Sequence, residues 1–154
     1  MTTDLSRFDN RWWTPGPRWK ILLWYLINPL TLNSYVPLPV SLKVALLRLF
    51  GATIGRGVML KPKLNIKFPW LLTVGDYCWL GEHVWIDNLA PVTLGRNVCL
   101  SQGVLLETGN HDYRRATFDL MIKPITLADG VWIGARSVVC PGVVAHSHAV
   151  LAVG

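Results

Sequence analysis

From Ile54 onward the apolar positions follow neither the helical spacing nor the strict alternation of an ordinary strand. Aliphatic residues stand at Ile54, Leu60 and Ile66, at Val74, Leu80 and Ile86, and at Leu94, Leu100 and Leu106. The step within each group is six, and the group starts Ile54, Val74 and Leu94 are twenty apart. The step of six resumes at Leu127, Ile133, Val139, Ala145 and Leu151. Self-similarity at six residues predicts a mainly β chain wound as a hexapeptide solenoid. Three short strands then make one triangular turn, and each hexad's first residue points inward to stack on its equivalents above and below. The residue four places later must be slim, and Val58, Cys78, Val84, Val98, Val104, Val131, Ser137, Val143 and Ala149 meet that condition. Gly55, Gly75 and Gly95 follow the group starts, where corner backbones crowd. A step of twenty in place of eighteen predicts small bulges near 67–72 and 88–91. One turn cannot bury its own apolar edges, so the turns depend on one another.

The first third reads differently. Residues 1–18, broken by Pro15-Gly16-Pro17, predict an irregular arm. Stretches 18–28 and 38–50 are helix-like; in the second, Val40, Val44 and Leu47 form a stripe that leaves Lys43 and Arg48 elsewhere on the wheel, and Gly51 caps the end. The chain divides accordingly into 1–52, arm and helices, and 53–154, the β-helix. The apolar run 21–27 stops at Asn28-Pro29, far short of the ~20 residues that span a bilayer. Trp12, Trp13, Trp19, Trp24 and Tyr25 alternate with Arg11, Arg18 and Lys20. That mixture suits helices packed on the end of the coil, a peripheral membrane contact, or one face for each.

Composition narrows the partners. With 16% charged and 51% hydrophobic residues, the chain supports a core and is not disordered. A net charge of +6 suits an anionic partner. Nucleic acid fits poorly, because the sequence has no long Lys/Arg run, recognition-helix pattern or zinc-finger spacing. Cys78, Cys99 and Cys140 are odd in number and form no C-x-x-C pair, which points to a reducing, cytoplasmic setting, with the inner face of the membrane as a further location. No signal-peptide pattern precedes the apolar run.

One stretch, 107–124, breaks the rhythm and projects from it as a loop: ETGNHDYRRATFDLMIKP. It carries His111 between Asn110 and Asp112. The surrounding segment VTLGRNVCLSQGVLLETGNHDYRRATFDLMIKPITLADGVWIGARSVVCPGVV, residues 92–144, resembles hexapeptide-repeat O-acetyltransferases. With IDNLAPVTLG ahead of it, and the lead-in RLFGATIG, the likeness is closest to the colanic-acid-biosynthesis type of exopolysaccharide acetyltransferase. It covers about residues 54–154.

The resemblance implies a left-handed parallel β-helix, acetyl-CoA as co-substrate, no metal, and homotrimers with active sites between subunits. His111 would be the general base, deprotonating a hydroxyl of a sugar or lipid-linked sugar acceptor. Glu107 or Asp112, or a backbone carbonyl, would hold its second ring nitrogen. Asp87 and Asn88 match the acceptor contacts, or alternatively cap the bulge before Ala90-Pro91. Gly134, Ala135 and Val153 match the backbone that carries the pantetheine arm. Trp132 would line that groove, with Lys123, Arg136, Arg114 and Arg115 as candidates for the phosphates. The repeat stops mid-hexad at Gly154, where the family adds coil and a cap, so a truncated sequence lacking part of the donor site is expected here. His146 and His148 depart from the family pattern.

Three other functions compete. One is an acyltransferase with a non-sugar acceptor, and another is a solenoid that only binds a partner. The third, a metal hydratase on the same fold, needs two histidines about five residues apart, and Ala116 stands five after His111.

Overall fold

The computed structural model describes residues 3–153, so Gly154, the expected end of the β-helix, lies outside the described residues. Helix α1 (Arg18–Ile27) and helix α2 (Val40–Leu49) come first and pack on the opening turn of a parallel solenoid. Trp24 and Leu47, both fully buried, join the coil's own core there. Lys43 departs from the wheel reading. It lies four residues before Leu47 on the same face and is buried with it, and burial pushes its ammonium below the ordinary lysine range. No helix of the described residues is long and apolar enough to cross a membrane.

Among the described residues the coil has three parallel faces of five, five and four strands. The first face stacks Thr53–Ile54, Leu72–Val74, Val92–Leu94, Ile125–Leu127 and Val144–Ala145. The second stacks Met59–Leu60, Trp79–Leu80, Cys99–Leu100, Trp132–Ile133 and Val150–Leu151. The third stacks Asn65–Ile66, Trp85–Asp87, Leu105–Glu107 and Val138–Val139.

The inward columns are those expected from the step of six. Leu94, Leu106 and Leu127 are completely buried, and Leu100 nearly so. The slim positions Val58, Cys78, Val84, Val98, Val104, Val131 and Ser137 are buried too. Val143, Val150 and Leu151, in the last described turn, are exposed. Glycine at the corners is required by the stacking itself: a Cβ on Gly75 would stand 2.5 Å from the carbonyl oxygen of Gly95, one turn on. Both expected bulges are present. Pro69–Leu71 forms a short 3-10 turn at the first, and Asn88 closes the second.

A second regularity lies at the corners. At ten hexads the residue three places after the start adopts a positive φ, whether it is Gly57, Lys63, Tyr77, His83, Asn97, Gly103, Gly130, Arg136, Gly142 or His148; after Ile66, Ile86 and Leu106, where the bulges and the hairpin intervene, it does not. His83, His148 and Arg136 therefore occupy turn positions demanded by the coil. His83 is met there by the Tyr35 hydroxyl at 2.9 Å.

Candidate active site

The coil is interrupted at the corner between the third and first faces. After Thr108 the chain folds back as a hairpin, with Gly109–His111 antiparallel to Leu120–Ile122 and His111 opposite Leu120. Val92 and Ile125 remain direct neighbours across the interruption. The hairpin therefore stands out from the prism without changing its register.

His111 is held at one ring nitrogen. Its Nδ1 lies 2.9 Å from the carbonyl oxygen of Phe118. A carbonyl can only accept, so Nδ1 carries the proton and Nε2 keeps a free lone pair. The Phe118 ring stacks on the imidazole at 4.3 Å and 5°, and Phe8 meets it edge-on at 5.3 Å. Phe118 has φ +52, a conformation that costs a bulky residue about 1–3 kcal/mol. In it, one residue presents both ring and carbonyl to the same imidazole.

Neither carboxylate considered for that post takes it. Asp112 accepts the Arg114 backbone N–H at 3.0 Å and lies 3.6 Å from Arg115. Arg115 also reaches Asp119 at 2.9 Å. The Thr117 hydroxyl, then Arg115, hold the Asp119 carboxyl below its usual range. Arg115 is thus engaged in fastening the hairpin tip, and Arg114 lies over the Tyr113 ring. Glu107 stays on the third face, in register with Asp87.

Asp87 is half-buried at the foot of the hairpin, with the Lys67 ammonium 2.7 Å from Oδ1 but off the direction of a hydrogen bond. Lys67, Asp87 and Glu107 therefore form a charged column leading to the His111 corner. Asn88 is a correction to the acceptor reading. It is fully buried, its Oδ1 accepts the Phe68 N–H at 2.9 Å, and its Nδ2 donates to the Phe68 carbonyl at 2.7 Å. Both amide atoms are spent on the bulge. Thr108 completes that closure by accepting from the Ala90 N–H and donating to the Asp87 carbonyl.

The N-terminal arm also reaches this corner, which the sequence did not reveal. The Asp4 N–H donates to the Ala116 carbonyl at 2.8 Å, and the Trp13 indole donates to the Leu89 carbonyl at 3.2 Å. The Trp70 indole donates to the Pro15 carbonyl. Between arm and hairpin lies a cavity of about 460 Å³, lined by Phe8, Trp13, Lys67, Phe68, Leu89 and His111 among others. Aromatic density in the arm was the only sequence signal for it.

The donor-side candidates separate. Lys123 stands at the hairpin base, its N–H donating to the Thr108 carbonyl at 3.0 Å. Trp132, half-exposed on the second face, donates its indole N–H to Ser101 Oγ at 2.9 Å. Gly134, Ala135, Arg136 and Val153 lie at the corner between the second and third faces; a Cβ on Gly134 would come within 2.5 Å of the Val153 nitrogen. That is a different corner from the one that holds His111.

Cys78 is buried, and burial pushes its thiol above the ordinary range, so it is unsuited to nucleophilic work. Among the described residues no group of three or more His, Cys, Asp and Glu side chains is placed to hold a metal.

Comparison with known proteins places the fold among its relatives. The colanic acid biosynthesis acetyltransferase WcaF of Escherichia coli (strain K12) is 35% identical over 142 residues, covering 91% of this chain and 78% of the relative. A crystal structure of a hexapeptide-repeat-containing acetyltransferase from Vibrio cholerae superposes with a TM-score of 0.76 at 26% identity, covering 90% of this chain and 80% of that one. The structure of that acetyltransferase complexed with acetyl coenzyme A matches at TM-score 0.69 and 28% identity, over 79% of this chain and 67% of that one. No family model matches the chain.

Proposed function

This chain belongs to the hexapeptide-repeat acetyltransferases, the family of WcaF, and from that premise we propose that it moves an acetyl group from acetyl-CoA to a sugar hydroxyl during exopolysaccharide assembly, with His111 as general base. The observation that carries the reading is the 2.9 Å contact of His111 Nδ1 with the Phe118 carbonyl. With Nδ1 donating there, Nε2 of the neutral imidazole is the atom left to act as base. An alcohol is a poor nucleophile near neutrality. His111 Nε2 takes the hydroxyl proton while the oxygen bonds to the thioester carbon and the carbon–sulfur bond breaks. The proton then leaves with the coenzyme A thiol. Such help is worth about 10²–10⁴-fold, or about 3–5 kcal/mol. Asp87 and Glu107, in register on the third face that leads to this corner, are suited to acceptor hydroxyls.

The donor side supports a trimer with shared sites. Trp132, Gly134, Ala135, Arg136 and Val153 lie at another corner of the prism, so a neighbouring copy is what would bring them beside His111 and Lys123. The relative from Vibrio cholerae, crystallised with acetyl coenzyme A, supports the donor. On the outer side of α1, Trp19, Leu22, Leu23 and Leu26 are exposed close to Arg18 and Lys20. This surface favours peripheral contact with a membrane at its cytoplasmic face, where a lipid-linked sugar would be met. Flotation with anionic vesicles tests that contact, and Leu22→Glu with Leu26→Glu should abolish it.

The central test is His111→Ala. Thiol release from acetyl-CoA with a saccharide acceptor should fall at least about 100-fold, with no change in melting temperature. Retained turnover would remove His111 from the mechanism.

A further inference from the structure

Beside the cavity at His111 lies a second, of about 420 Å³, lined by Tyr25, Asn28, Pro29, Asn33, Asn65, Ile66, Lys67 and Trp85. Tyr25 and Lys67 line both cavities, so the two are neighbours along one groove. Asn65 and Lys67 are alternate residues of an extended segment and project from the same side of the third face, about 7 Å apart. Trp85 stands beside Asn65 on the adjacent strand, with nearly half its surface exposed.

The second cavity holds a polar atom with nothing to do. Asn28 is 94% buried, at 6% exposure. Its Nδ2 donates to Asn65 Oδ1 at 2.9 Å, and its own Oδ1 has no hydrogen-bond partner. Buried polar groups are nearly always satisfied, and an exception calls for a ligand or another explanation. Asn33 and Asn65 line the same space.

The geometry points to a distal saccharide subsite. The acceptor is an oligosaccharide of at least two rings, with its acetylated ring at His111 and the next ring beyond Lys67, its hydroxyls on the amides of Asn33 and Asn65, the latter held by Asn28 from behind, and its apolar face against Trp85. Amides both donate and accept, as vicinal hydroxyls do, and a half-exposed indole offers a flat apolar platform. This inference rests on the saccharide acceptor proposed above and adds its minimum length.

The test uses matched methyl glycosides and disaccharides spanning hexoses, 6-deoxyhexoses and hexuronic acids. Wild-type protein should show kcat/KM at least about tenfold higher on its best disaccharide than on the corresponding methyl glycoside, as expected when a second ring satisfies buried polar groups. Asn65→Ala and Trp85→Ala should each bring that ratio towards one. Equal rates on both acceptor classes, or ratios unmoved by either variant, would overturn the subsite while leaving the acetyltransferase reading intact. If no member of the panel is acetylated, the sugar reading falls, and the subsite is judged by binding. Disaccharides that shift the NMR signals of the Trp85 indole and the Asn65 amide, where methyl glycosides do not, support it, and unmoved signals overturn it.

Discussion

The first and second faces of the coil share one interior and present opposite exteriors. Inward, both offer aliphatic columns at the same spacing, Leu94 on one and Leu100 on the other, at 0% and 1% exposure. Outward, the first face shows Thr53, Thr73, Thr93 and Thr126 in register, all exposed, with exposed Val144 at the end of the column. The second shows Met59, Trp79, Cys99, Trp132 and Val150 in register. A strand must satisfy its own fold with one side only, so the other side is free to record what covers it. Threonine is a β-former at ease in water. Tryptophans at 57% and 51% exposure are not needed by the coil and make this the face that a neighbouring copy would cover in the proposed trimer.

The strongest way to break this contrast is from inside. Leu94→Ala and Leu100→Ala should each cost about 2–5 kcal/mol in chemical denaturation, with no difference between faces. A large difference would mean that the two inward columns are not equivalent. Next, Trp132→Glu should lower the mass seen in sedimentation equilibrium from trimer towards monomer, with a loss near the 2 kcal/mol or more typical of a central interface tryptophan. Thr93→Glu, on the other face, should leave the mass unchanged. The smallest effect concerns Cys99, between the two tryptophans of the column. Its thiol is pushed up by burial, so little thiolate exists near neutrality. In native assembled protein iodoacetamide should modify exposed Cys140 well before Cys99, and the Trp132→Glu variant should narrow the gap.

The coil was legible in the sequence because stacking turns leave no choice about Ile54, Leu60, Ile66 and their successors. The corners were legible only where they required glycine. At the left-handed positions Lys63, Tyr77, His83, Asn97, Arg136 and His148 have no side-chain chemistry in common, so a shared backbone conformation left no shared signal. His111 could be picked out as the polar centre of an interruption. What orients it could not, since a backbone carbonyl reads the same on every residue, and Phe118 looked like any loop aromatic. Asn88 could be read either way, because a polar residue beside Asp87 serves a ligand or a bulge equally well, and only its burial decides. The reach of Phe8 and Trp13 to the hairpin is tertiary and has no local periodicity.

The hairpin's position between whole turns has a consequence for how such a chain folds and diversifies. Leu72 pairs with Val92 twenty residues on, whereas Val92 pairs with Ile125 after thirty-three. The entropy of closing a loop grows only with the logarithm of its length, about 0.6 kcal/mol per doubling, so the longer excursion costs about 0.4 kcal/mol more. A stacking prism can therefore nucleate from its regular turns and admit insertions at this corner at almost no thermodynamic penalty. Lengthening or rewriting the hairpin would change which molecule is processed without asking any inward residue to change with it.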